Sequence, residues 1–180
     1  MDSIPIKLFK GDNMAEDIIK KMINIVGIAK SIYKTEPIEN LRIVISKEHN
    51  SSYIEVEAIQ VDSEHFDCYG IESLDSEEEI EQAKQLIRRI RFKNESIEYD
   101  GYWGELYINI KNSPKLIKIR KAISDLKYGN FYDELHREDD GYNVITKDKI
   151  GLQAFQQKHS DLVNVYQSDF GNTLFNIYIS

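Results

Sequence analysis

Three groups of side chains in this sequence have the residue types that chemistry needs. The first is His65-Phe66-Asp67-Cys68, an imidazole three residues from the only cysteine. A nucleophilic thiol needs a base within hydrogen-bond reach. Residues three apart on a strand point to opposite faces, so Cys68 reads as an idle or buried small residue. The second group is Asp133, Glu134, His136, Glu138, Asp139 and Asp140. Carboxylates beside an imidazole suit a divalent cation, and a metal-dependent hydrolase would draw on His136, Glu138 and Asp140. The spacing follows no EF-hand pattern, and a solvated polar loop from Asn130 to Gly141 is the competing reading. The third group is Tyr99, Tyr102, Trp103 and Tyr107 around Asp100-Gly101. Aromatics at a turn anchor partners or pair across strands to stabilise a hairpin. An assembly subunit would use hairpin 99–107 as its interface. His49 and His159 stand in polar surroundings and read as surface residues.

No nucleotide-binding glycine pattern, nucleophile elbow or zinc-protease motif is present. One cysteine excludes a Cys-rich zinc site and an internal disulfide. No catalytic residue, metal or cofactor is assigned.

Charge is the uneven feature. From Glu48 to Ala83 there are twelve acids and no Lys or Arg. The rest of the chain has 19 acids against 23 Lys and Arg, so the formal charge of −8 comes from this segment. Glu55 and Glu57 fall on the outward face of a strand. Asp62, Glu64 and Asp67 follow in a turn, then Glu72 and Asp75, and Glu77, Glu78 and Glu81 crowd a helix start. A continuous negative face of this kind steers a basic partner inward. Solubility is the plainer explanation of the same acids. The basic run Lys111, Lys115, Lys118, Arg120 and Lys121 is a solvated face, and direct nucleic-acid binding is not expected.

The elements that must position these groups follow from periodicity. Residues 1–12 form a short arm. A helix runs from Met14 to Lys34, with Ile18, Met22, Ile25, Ala29 and Ile32 as its stripe. Asn13 and Glu16 form its capping box. Leu41–Ser46 reads as a strand buried on both faces, and Tyr53–Ala58 as a half-exposed one. A short strand lies near Phe66–Ile71. Ser76 caps a second helix whose stripe is Ile80, Ala83, Ile87 and Ile90. Asp100-Gly101 makes a type I′ hairpin turn. Ser113-Pro114 opens a third helix that Gly129 ends. A short strand at Tyr142–Ile145 precedes a fourth helix capped by Thr146, and strands at Leu162–Gln167 and Thr173–Ile179 close the chain. The order helix, strand, strand recurs near residues 14, 77 and 147 without residue-level identity.

These elements imply an α+β fold over 1–180. One domain is expected, with a mostly antiparallel sheet of six or more strands and three to four helices packed on it. Apolar residues are 41% of the 180, enough for a core. No stretch approaches the roughly 20 apolar residues of a membrane span, and the first residues lack a signal-peptide pattern, so a cytoplasmic protein is expected. With 27 Ile against 6 Ala, the composition points to an AT-rich bacterial or phage genome. The functional expectation is an inhibitor of a basic partner. It would be the immunity protein of a toxin, or an antagonist of a host defence nuclease, using the acids named above together with Tyr102 and Trp103.

Overall fold

The computed structural model describes residues 16–48, 50–60, 63–92 and 95–180. The expected N-terminal arm, the Asn13 cap, His49 and Asp62 lie outside the described residues. The fold is α+β with antiparallel sheets. The chain divides into two compact units, one ending at Asn112 and one from Ser113 to Ser180.

In the first unit the elements are α1 (Glu16–Thr35), β1 (Ile38–Glu48), β2 (Ser51–Gln60), β3 (Asp67–Leu74), α2 (Glu77–Ile87), β4 (Glu95–Asp100) and β5 (Glu105–Lys111). The sheet order is β3-β2-β1-β5-β4. The α1 stripe is the one periodicity predicts: Ile18, Met22, Ile25, Ala29 and Ile32 are all buried. It meets Leu41, Ile43 and Ile45 of β1, Ile54, Val56 and Ala58 of β2, and Leu106, Ile108 and Ile110 of β5. Ile80, Ala83 and Ile87 of α2 join the same core. Alternation then turns Tyr53, Glu55 and Glu57 of β2, and Arg42, Val44 and Ser46 of β1, to the opposite face. Val44 is buried there too, as expected for a strand apolar on both sides.

Ser76 caps α2 by accepting from the Glu79 amide at 3.1 Å. Glu79 in turn accepts from the Asp75 amide at 3.0 Å, one residue before the cap of a standard capping box. The turn at Asp100-Gly101 is not the two-residue type I′. Asp100 pairs with Glu105, leaving a four-residue loop. The Asp100 Oδ1 accepts from the amides of Tyr102 and Trp103, so its carboxylate organises the bend locally. Gly104 closes it at φ +71°, a conformation that favours glycine.

In the second unit the elements are α3 (Pro114–Lys127), β6 (Glu134–Glu138), β7 (Gly141–Ile145), α4 (Lys149–Lys158), β8 (Val163–Gln167) and β9 (Leu174–Ile179), with sheet order β6-β7-β9-β8. Ser113 caps α3 and Pro114 follows at its first turn, as expected. Three expectations are corrected. The polar run 130–141 is not one loop, because β6 lies within it and pairs with β7. Asp148, not Thr146, caps α4. Thr146 instead donates to the Phe131 carbonyl and accepts from the Asp148 amide, holding the approach to the helix. His159 is not a surface residue. It is 6% exposed, with Nε2 2.9 Å from Asp125 and its ring against Phe155.

Candidate functional site

The described acids of this segment do not share one surface. In β2, Ile54, Val56 and Ala58 face the helices, so Glu55 and Glu57 face away from them. In β3 the register sets Glu72 opposite Ile54 and therefore on the helix side. The acidic segment is split between the two faces of the sheet.

On the helix side the cation with most carboxylate partners is Lys21 of α1. Its ammonium lies 3.3 Å from Asp17, 3.2 Å from Asp75 and 3.1 Å from Glu79. Burial works against its charge, but the hydrogen bonds to Glu79, Asp75 and Asp17 outweigh that and raise its pKa. One turn along α1, Asn24 donates to Glu72 at 2.7 Å. Lys47 reaches Glu77 at 2.8 Å and holds that carboxyl below its usual range. Glu81 pairs with Lys84, and Glu78 accepts from Gln82. Among the described residues, Asp17, Asp75, Glu77, Glu79 and Glu81 thus meet three lysines, Glu72 and Glu78 meet only amides, and these seven acids and three lysines leave a net charge of −4. Glu64, just before β3, and Asp67, its first residue, are exposed.

On the other face the cation is Arg42. Its guanidinium carbon stands 4.7 Å from the Phe66 ring centroid and 4.3 Å from that of Tyr107, between two aromatic faces. Glu57 and Glu105 approach it at 3.8 Å from β2 and β5. Burial raises the Glu57 pKa more than the Arg42 charge lowers it. The next row is a carboxylate network. Ser96, Asn109 and Tyr107 all donate to Glu98, and the Ser96 bond contributes most to holding that carboxyl below its usual range. Burial and the Glu98 carboxylate push the Tyr107 hydroxyl up. Arg42 carries no single sequence signal. In sequence it is one of several charged residues in a strand that also holds Glu39, Lys47 and Glu48.

Tyr102 and Trp103 sit edge to face at 5.0 Å on the loop between β4 and β5 and are strongly exposed. They do not act as a cross-strand pair. Cys68 is exposed, and its thiol donates to the Gly70 carbonyl at 3.7 Å.

The hydrolase residues are not assembled around a common point. His136 pairs with Glu134 at 3.0 Å, and Glu138 accepts from Asn143 at 2.9 Å. Glu138, Asp139 and Asp140 line a depression of about 230 Å³ with Tyr178 and Asn176, and His136 is outside that lining. Among the described residues no three His, Cys, Asp or Glu gather as a metal ligand set.

No protein-family model, curated protein or solved structure matches the chain. None of the described helices is long and apolar enough to cross a membrane.

Proposed function

We propose that the chain is a stoichiometric binding protein that inhibits a basic partner such as a nuclease, as the immunity protein of a toxin or as an antagonist of a host defence system. One observation carries the reading. The first unit has 22 acids against 14 Lys and Arg, and the second has nine of each, so the whole −8 belongs to the first. Within it, the β3–α2 surface concentrates carboxylates that one short set of lysines does not neutralise. Such a surface raises the local potential and accelerates encounter with a cationic face. Its carboxylates take the places that phosphates take on a nuclease.

The contact residues in this reading are Glu64, Asp67, Glu72, Asp75, Glu77, Glu78 and Glu81. Glu55 and Glu57 lie on the other face and are left out of it. The protein acts in the cytosol, where an exposed Cys68 stays reduced.

Immobilised protein is expected to retain one basic protein from the source cell. The association rate should fall steeply as salt rises. Replacing Glu64, Asp67, Glu78 and Glu81 together by Lys is expected to slow association by about tenfold or more. Retention and association unchanged by that reversal would defeat the reading.

A further inference from the structure

Among the described residues β4 is an edge strand, at the end of its sheet away from β3. Its two faces differ in chemistry. Glu98 and Asp100 point to the Arg42 side, and neither meets a cation within ion-pair distance among the described residues. Ile97 and Tyr99 point to the helix side, in register with the buried Ile108 and Leu106. They nevertheless stand 42% and 66% exposed. The main packing of α1 is on β1, β2 and β3, and that of α2 is on β1, β3 and β5, so the helical layer leaves these two side chains uncovered. Just past the strand, Tyr102 and Trp103 are 86% and 66% exposed. Their loop is fixed by the Asp100 carboxylate and by the Gly104 amide donating to the Asp100 carbonyl at 2.8 Å.

We propose that β4 takes up an extended segment of the basic partner as a sixth strand, and that this segment alternates cationic and apolar side chains. Strand addition uses main-chain hydrogen bonds for affinity and alternate side chains for specificity. Cations on one face of the added strand meet Glu98 and Asp100. Apolar side chains on its other face cover Ile97 and Tyr99, and Tyr102 and Trp103 anchor its end. A second copy of this chain is a poor occupant. The β4 strand carries Glu95, Glu98 and Asp100 and no base, so two such strands side by side oppose like charges. This inference rests on the basic-partner reading and adds where and in what conformation the partner is held.

Trp103 is the only tryptophan, so its emission reads the site directly. The full chain is titrated with a peptide of about ten residues alternating lysine and valine, long enough for one strand. The control has the same composition with all lysines first. The alternating peptide is expected to shift Trp103 emission to the blue, to slow hydrogen exchange at β4 amides, and to bind about tenfold more tightly than the control. The double variant Ile97→Lys, Tyr99→Lys should lose that preference with an unchanged circular-dichroism melt. Equal binding of the two peptides, no protection of β4 in the unaltered protein, or no binding at all overturns the strand placement. So does an emission shift on raising protein concentration alone, which would assign the edge to a second copy. None of these outcomes touches the charge-reversal test on β3 and α2, so the two readings fail separately.

Discussion

Along the described residues the two units read alike: helix, two strands, helix, two strands, with β3 added in the first. Across their sheets they differ. In the first unit β1 pairs with β5, so the strand directly after α1 is central. In the second unit β7 pairs with β9, and β6, the strand directly after α3, is left at the edge. The residues account for the difference. Leu41, Ile43 and Ile45 of β1 are buried under the helices, and Val44 is 3% exposed on the other face. The β6 sequence Glu-Leu-His-Arg-Glu brings only Leu135 against its core. A central strand is screened from water on both faces by its neighbours, whereas an edge strand tolerates charge. The strand that is apolar on both faces therefore takes the middle. A simple internal duplication would have kept one wiring, so the recurring element order reflects local patterning.

The sharpest way to break this comparison is to put the same charge at the two positions. Val44→Asp buries a carboxylate between its cross-strand neighbours Glu55 and Tyr107. It should cost about 3–5 kcal/mol in urea unfolding, or prevent folding of the first unit. His136→Asp on β6 should cost no more than about 0.5 kcal/mol, since that side chain is largely exposed. Equal losses at the two sites would sink the account of strand placement. The next largest effect is expected at Arg42. Arg42→Met removes the cation from between two rings and leaves Glu57 and Glu105 facing each other. With 21% of the side chain exposed, solvent screens part of the loss. The expected destabilisation is about 1–3 kcal/mol, below that of a fully buried pair. A neutral result in the same measurement would mean the cluster holds nothing together.

Much of this arrangement was legible in the residues, and the failures have physical causes. The α1 stripe, the Ser76 and Ser113 caps and the doubly buried β1 follow from period and side-chain type alone. The strand β6 was not legible because one apolar residue in five gives no alternation to detect, and its partner strand supplies the order. The hairpin loop was misread because Asp-Gly favours a tight turn, while the Asp100 carboxylate has two amides within reach and widens it. His159 reads as solvent-facing in sequence because Asp125, the partner that holds it in place, lies 34 residues away. The acidic segment was visible as composition. Its division between two faces depends on strand register, which no count of charges contains.

The smallest effects separate two carboxylates that sit beside cations and yet shift in opposite directions. Burial raises the Glu57 pKa from its ordinary 4.5, against the pull of Arg42. The folded state then holds the Glu57 proton more tightly than the unfolded chain does, so stability falls as pH rises from 4.5 through the folded value. Asp125 in the second unit is held below its ordinary 3.8, first by the Lys158 hydrogen bond and then by that of His159. Its contribution is present above 3.8 and is lost as pH falls through the folded value. Glu57→Gln is therefore expected to raise the melting temperature at pH 7 and to lose that advantage in acid. Asp125→Asn should lower it at pH 7, with the deficit closing in acid, and by little because the pair is partly solvated. Thermal melts of both variants from about pH 3 to about pH 7 decide the matter. Changes of the same sign at neutral pH would mean that burial does not govern the Arg42 site, and that its carboxylates behave like the solvated pair in the second unit.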